Sequence, residues 1–137
     1  MCNKIIDDDE IEALQVNLIR SHAAGLGDPI KPYIAKAILT IRLNTLVKGY
    51  SGVRIELLEL MRDMINKGVV PCIQEKGSLG VSGDLSPLSQ FAEVAIGEGR
   101  AYYRGELMSG AEAMKKAGVW RIWWKTRTLP RMRNVKR

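Results

Sequence analysis

A disulfide framework, membrane spans and an export signal are not expected from this sequence. Its two cysteines, Cys2 and Cys72, form neither a disulfide framework nor a C-x-x-C motif. No apolar run reaches the length of a membrane-spanning helix, so no membrane partner is expected. Asp7, Asp8 and Asp9 come too early for the apolar core of a secretory signal. A reducing cytoplasm is therefore the expected location. There is one histidine, His22, and no metal site is expected. Acidic residues are missing from one region. Residues 119–137 hold seven basic groups (Arg121, Lys125, Arg127, Arg131, Arg133, Lys136 and Arg137) and no acid. Residues 1–118 carry 14 basic groups against 15 acidic ones, so the formal charge of +6 belongs to that tail.

What is present suits a globular chain. At 137 residues there is one domain's worth of sequence, enough to bury a core. Apolar residues make up 46% and charged residues 26%, ordinary values that exclude a disordered or fibrous class.

The most unusual stretch is Glu75 to Gln90, EKGSLGVSGDLSPLSQ. Gly77, Gly80 and Gly83 recur at every third position, among Ser78, Ser82, Ser86 and Ser89. Pro87 reads as the first turn of a helix with Ser86 as its N-cap. A glycine-rich loop thus runs into a helix N-terminus, where the dipole is positive. Three chemistries use such loops. A phosphate cradle needs G-x-G-x-x-G or a following Gly-Lys-Ser/Thr, and neither is here. A nucleophile elbow needs G-x-S-x-G, but Asp84 stands at the fifth position after Gly80-Val81-Ser82-Gly83. The third chemistry acts on the backbone. The Gly83 amide nitrogen has no Cβ beside it and can attack the Val81 carbonyl, while Ser82 can lose water, leaving a five-membered electrophilic ring. A glycine-rich structural turn is the plain alternative.

The rest of the chain reads as helices joined by glycine stops. Asp7-x-x-Glu10 is a possible capping pair. Ile11, Leu14, Leu18 and Ile19 then recur at helical spacing up to Gly25. Gly27, Pro29 and Pro32 predict a loop. Tyr33 to about Lys48 is strongly helical, with Gly49 as its stop. Ser51 is placed to cap a third helix from Val53 to Lys67, with Leu57, Leu58, Met61, Met64 and Ile65 as its apolar stripe. Val69 to Ile73, interrupted by Pro71, reads as an extended lead into the glycine loop. A fourth helix runs from Pro87 to about Gly97, with Leu88, Phe91, Ala92 and Ala95 inward. GRAYYRGELM, Gly99 to Met108, predicts a hairpin around Arg104-Gly105. Ser109-x-x-Glu112 is a capping box before a short helix to Gly118.

Three segments, in order, carry a resemblance. GSLGVSGDLSPL resembles the signature of the aromatic amino acid ammonia-lyases and related aminomutases, which build the methylidene-imidazolone group (MIO) from Ala-Ser-Gly. LQVNLIRSHAAG (Leu14 to Gly25) and RLNTLVKGYSGVR (Arg42 to Arg54) resemble two further segments of the same family. The resemblance covers about Asp8 to Gly118. It implies a mainly α fold: a helical fragment of the ammonia-lyase fold with a glycine-rich MIO loop and a small β-hairpin. By the same resemblance, Val81, Ser82 and Gly83 are the MIO precursors and Asp84 braces the loop. Val81 stands where the family usually has alanine, but ring closure uses its carbonyl, not its side chain. Ser21-His22 resembles the substrate-binding pair of members acting on histidine, where an imidazole substrate needs a polar partner. By itself, a histidine at a helix end is more commonly a dipole-stabilised structural group. Gln90 departs from the histidine that many such members carry. Tyr50, Tyr102 and Tyr103 do not match the motif of the family's catalytic tyrosine, and Lys48, Tyr50 and Arg54 read as structural.

The resemblance implies elimination of ammonia from L-histidine to give urocanate, a small-molecule amino acid substrate, and a homotetramer. The chain looks like a piece of such an enzyme, with residues 1–118 as a partial lyase domain and little activity expected alone. Phenylalanine or tyrosine as substrate, and a non-catalytic remnant packing against full-length subunits, are the alternatives. Residues 119–137 hold all three tryptophans and no periodicity, and are expected to lie outside the fold as the product of a frameshift or truncation. Arg, Lys and Trp together can bind nucleic acid, but a basic run is more commonly a solvated one, and no nucleic-acid partner is expected.

Overall fold

The structure is a computed structural model, and it describes residues 10–78 and 85–119. In chain order these form α1 (Glu10–His22), β1 (Leu26–Pro29), α2 (Pro32–Leu46), α3 (Ile55–Lys67), β2 (Val70–Pro71), β3 (Gln74–Lys76), α4 (Leu85–Ala95), β4 (Arg100–Tyr103), β5 (Glu106–Ser109) and α5 (Gly110–Lys116). The mainly α class holds, and the hairpin forms where it was expected. Tyr103 faces Glu106 across a two-residue turn. Arg104 and Gly105 both take left-handed backbone, φ 52° and 86°, the type I′ geometry that matches strand twist.

The main core forms where α3, α4 and α5 meet the inner face of α2. Leu60, Met61 and Met64 of α3 are fully enclosed, together with Val94 of α4 and Met114 of α5. The α3 stripe follows from residues three and four apart sharing one helical face. The unbranched methionines fill the irregular space between helices. Leu39 and Leu46 close the core from the α2 side. A three-stranded antiparallel sheet, ordered β2-β4-β5, lies against it. Pro71 sits on its edge strand, where a missing N–H costs no ladder bond.

Four expectations need correction. The Gly27–Pro29 region is a strand, not a loop. β1 pairs antiparallel with β3, Leu26 opposite Lys76 and Pro29 opposite Gln74, through an irregular register. The third helix starts at Ile55, and Ser51 does not cap it. A tight turn in which the Val53 N–H donates to the Ser51 carbonyl (2.8 Å) delays the helix by two residues. The fourth helix starts at Leu85, so Ser86 lies inside its first turn rather than at the N-cap. Proline is tolerated anywhere in that turn, because those N–H groups have no intrahelical partner, and so Pro87 did not fix the first position. Finally, Val119 is 1% exposed and belongs to the core, so the packed region passes Gly118 by one residue. The Ser109 cap forms as expected, its hydroxyl accepting from the Glu112 N–H at 3.3 Å. The Glu112 carboxylate turns to Lys116 at 2.8 Å instead of closing the box. The Asp7-x-x-Glu10 pair, with Asp7 to Asp9, falls outside the described residues.

α1 is held to the rest by a fork. Arg20 Nε donates to Glu98 Oε2 at 2.8 Å, and a second guanidinium nitrogen donates to the other carboxylate oxygen. Arg20 thereby holds the Glu98 carboxyl below its usual range, whereas burial, and then Glu98 itself, raises that of Glu93. Being largely exposed, the pair adds little to global stability.

Two outcomes follow. Met64→Ala should cost about 2–5 kcal/mol in chemical denaturation, since it empties a fully enclosed site. The Arg20–Glu98 contribution is complete above the unfolded carboxylate range and is lost as pH falls through the depressed Glu98 value. Glu93 acts in the opposite sense: its protonation on acidification favours the folded form. Hydrogen exchange should therefore show α1 amides near Arg20 losing protection in acid before those of α3 do, and Glu98→Gln should remove that pH dependence.

Candidate functional site

The glycine loop departs from one strand and enters one helix, and both of its anchors are tied to the segment that follows His22. β3 ends at Lys76, whose partner across the ladder is Leu26, four residues beyond His22. The chain then passes Gly77, where a Cβ would stand 2.9 Å from Ser86 Oγ and 3.5 Å from Pro87 Cδ. The entry to the loop therefore lies against the first turn of α4, the helix into which the loop runs. Loop entry and helix N-terminus share one corner, and the α4 dipole presents its positive end there. Val81, Ser82, Gly83 and Asp84 lie within residues 79–84, outside the described residues.

Ser21 and His22 end α1. Ser21 Oγ donates to the Leu18 carbonyl at 2.9 Å, and His22 Nδ1 lies 2.8 Å from that same oxygen. A carbonyl oxygen only accepts, so in the neutral ring this contact assigns the proton to Nδ1 and leaves Nε2 as an acceptor. Ser21 Oγ, 3.0 Å from Nδ1, reinforces this orientation. The ring is half-buried. Among the described residues no hydrogen-bond partner meets Nε2, so the pair offers an imidazole nitrogen able to accept from an N–H donor.

Reading the sequence missed the polar group behind this corner. Gln90 is 4% exposed in the middle of α4. Its Oε1 accepts from the Gln74 backbone N–H at 2.9 Å, and its Nε2 donates to Ser86 Oγ at 3.3 Å. A Cβ at Gly25 would fall 1.9 Å from Gln90 Nε2, so residue 25 must be glycine for the backbone after α1 to pass. The available signal was Ser86 and Gln90 four apart on a helix, a spacing that brings two polar side chains together. Burial, and after it the neighbouring Cys72, pushes the Tyr102 hydroxyl above the usual phenol range. Tyr50 is almost fully exposed, and Tyr103 lies under the Arg104 guanidinium 5.4 Å from the ring centroid. Among the described residues no cluster of acidic, histidine or cysteine side chains could hold a metal ion. No described helix is long and apolar enough to cross a membrane.

Gly77 allows the close approach that brings the loop's entry onto the helix where it ends.

Comparison with known proteins agrees with this architecture. A histidine ammonia-lyase of Streptococcus sanguinis (strain SK36) is 52% identical over 122 residues, covering 89% of this chain and 24% of the relative. One from Streptococcus pyogenes serotype M1 matches equally. Among solved structures, the histidine ammonia-lyase from Trypanosoma cruzi superposes with a TM-score of 0.77 at 38% identity, over 84% of this chain and 22% of that one. The ergothioneine-degrading ergothionase from Treponema denticola gives 0.78 at 36%, over 85% and 23%. A Pantoea agglomerans phenylalanine aminomutase gives 0.77 at 40%, over 85% and 22%. The chain thus spans about a quarter of the length of the relatives it matches. The family model for aromatic amino acid lyases matches residues 1–127, past the break in charge and composition at Gly118. With that match and this fold together, the chain belongs to the aromatic amino acid lyase family.

Proposed function

We propose that this chain carries the electrophile-bearing and substrate-facing part of a histidine ammonia-lyase-like enzyme, which removes ammonia from L-histidine without oxidation to give urocanate. The observation that carries the proposal is the 52% identity to histidine ammonia-lyases, running through both His22 and the glycine loop. In this reading Val81, Ser82 and Gly83 condense into MIO with loss of two waters, and Asp84 braces the loop. That group supplies electrophilic activation of an amine for departure. The chain's own residues do the rest. His22 Nε2, its lone pair freed by the Leu18 contact, accepts a hydrogen bond from a substrate N–H and orients the side chain. Ser21 holds the imidazole in place. The α4 N-terminus favours negative charge developing at the loop. The base that takes the β-proton is not supplied by Tyr50, Tyr102 or Tyr103. We therefore assign turnover to an assembled homotetrameric lyase in the cytoplasm rather than to these 137 residues alone.

A second reading has one observation in its favour. The phenylalanine aminomutase is 40% identical over a similar span, and Gln90 stands where many members acting on histidine carry histidine. An aromatic substrate other than histidine would then enter the same site.

Intact-protein mass tests the first claim. The purified chain should be lighter by two waters, with the deficit confined to a peptide containing Val81–Gly83, and Ser82→Ala should restore the full mass. An unmodified wild-type chain would sink the proposal, as would urocanate absorbance from the isolated chain for its inactivity. The tautomer is checked separately: nitrogen-15 shifts at neutral pH should place the proton of neutral His22 on Nδ1, and a Nε2-protonated ring would remove its role as acceptor.

A further inference from the structure

We propose that the Gln90 side chain is a positioning residue that sets the separation between the His22 end of α1 and the two anchors of the glycine loop. The inference rests on the proposed function for its consequence, but its geometry stands alone. Buried glutamine is uncommon, because each unpaired amide atom loses its hydration. This one is 4% exposed and spends one end of its amide on another element and the other on the first turn of its own helix. Oε1 holds the Gln74 N–H at the start of β3, and Nε2 reaches Ser86 Oγ in the first turn of α4. The same Nε2 lies against the backbone at Gly25, three residues past His22, so close that no side chain fits between. Ser86 Oγ in turn touches Gly77, the residue that opens the loop.

Through this amide the helix after the loop is bonded to the segment before it and packs against the turn behind the imidazole. Closing residues 81–83 into a ring brings one backbone nitrogen onto one carbonyl carbon, and that approach depends on where the flanks are held. Leucine at position 90 keeps the volume but releases Gln74 and Ser86. Glutamate keeps the acceptor for the Gln74 N–H and can itself accept from the Ser86 hydroxyl.

The test compares wild type, Gln90→Leu and Gln90→Glu in the whole chain, by intact mass at fixed times after synthesis and by residue-resolved hydrogen exchange. The expected result is a fall of roughly tenfold or more in the rate at which Gln90→Leu loses two waters. Gln90→Glu should remain near wild type. Exchange should quicken at Gln74 and Gly77 in the leucine variant and stay unchanged in α3, with a shift in the His22 ring resonances. Ring formation at the wild-type rate with leucine at 90 overturns the inference. So does uniform loss of protection in every helix, which would mark a general stabilising role. If the wild-type chain is unmodified, the proposed function falls. Exchange and the His22 shift then decide the positioning role alone: a local response at Gln74, Gly77 and His22 upholds it, and no response there overturns it.

Discussion

The pairing of β1 with β3 is the contact on which the candidate site depends. Two short strands, far apart in sequence, place the exit from α1 beside the entry to the glycine loop. Neither is a strong strand alone: β1 is Leu-Gly-Asp-Pro, exposed along its length. The pair is held from behind by the Gln90 amide and from the side by Ile30, whose N–H donates to the Ile73 carbonyl at 2.8 Å. α1 itself adheres mainly through α4 and the Arg20–Glu98 fork. A weak ladder thus takes its precision from one buried polar side chain and from the helix that carries it.

The sequence made some of this legible and hid the rest for physical reasons. Helices with a repeating apolar stripe declared themselves, α3 most clearly: Met61 and Met64 are enclosed as read, Leu57, Leu58 and Ile65 are partly buried, and Leu60, absent from the expected stripe, joins them in the core. The Arg104-Gly105 hairpin was readable from its turn chemistry. β1 was not, since four residues containing glycine and proline carry no alternation, and its strand character comes from a partner nearly fifty positions away. Gln90 was noticed only as a departure from a family pattern. Its burial depends on glycine at position 25, which had looked like nothing more than a helix stop. Val81 to Asp84 were the reverse case: the sequence carried an expectation for their chemistry, and they fall outside the described residues.

The helices also show where the architecture is open. Leu14 and Leu18 on α1, and Tyr33, Ile34 and Ile41 on α2, stand exposed although their spacing is that of a buried stripe. α2 is apolar on two sides, and only the side bearing Ala35, Leu39 and Leu46 is covered. A helix apolar all round belongs in an interior. The relatives are about four times as long as the matched segment, which accords with a larger body around these faces.

The bond from His22 to the Leu18 carbonyl ties a chemical property to a mechanical one. That oxygen belongs to the final turn of α1, the part of a helix that frays first. While the turn stays wound, the imidazole has a fixed proton and one nitrogen to offer. Once it unwinds, the two nitrogens become interchangeable and the ring can present either a donor or an acceptor to whatever approaches. The selectivity of any hydrogen bond made there is therefore only as sharp as the last coil of the helix is rigid.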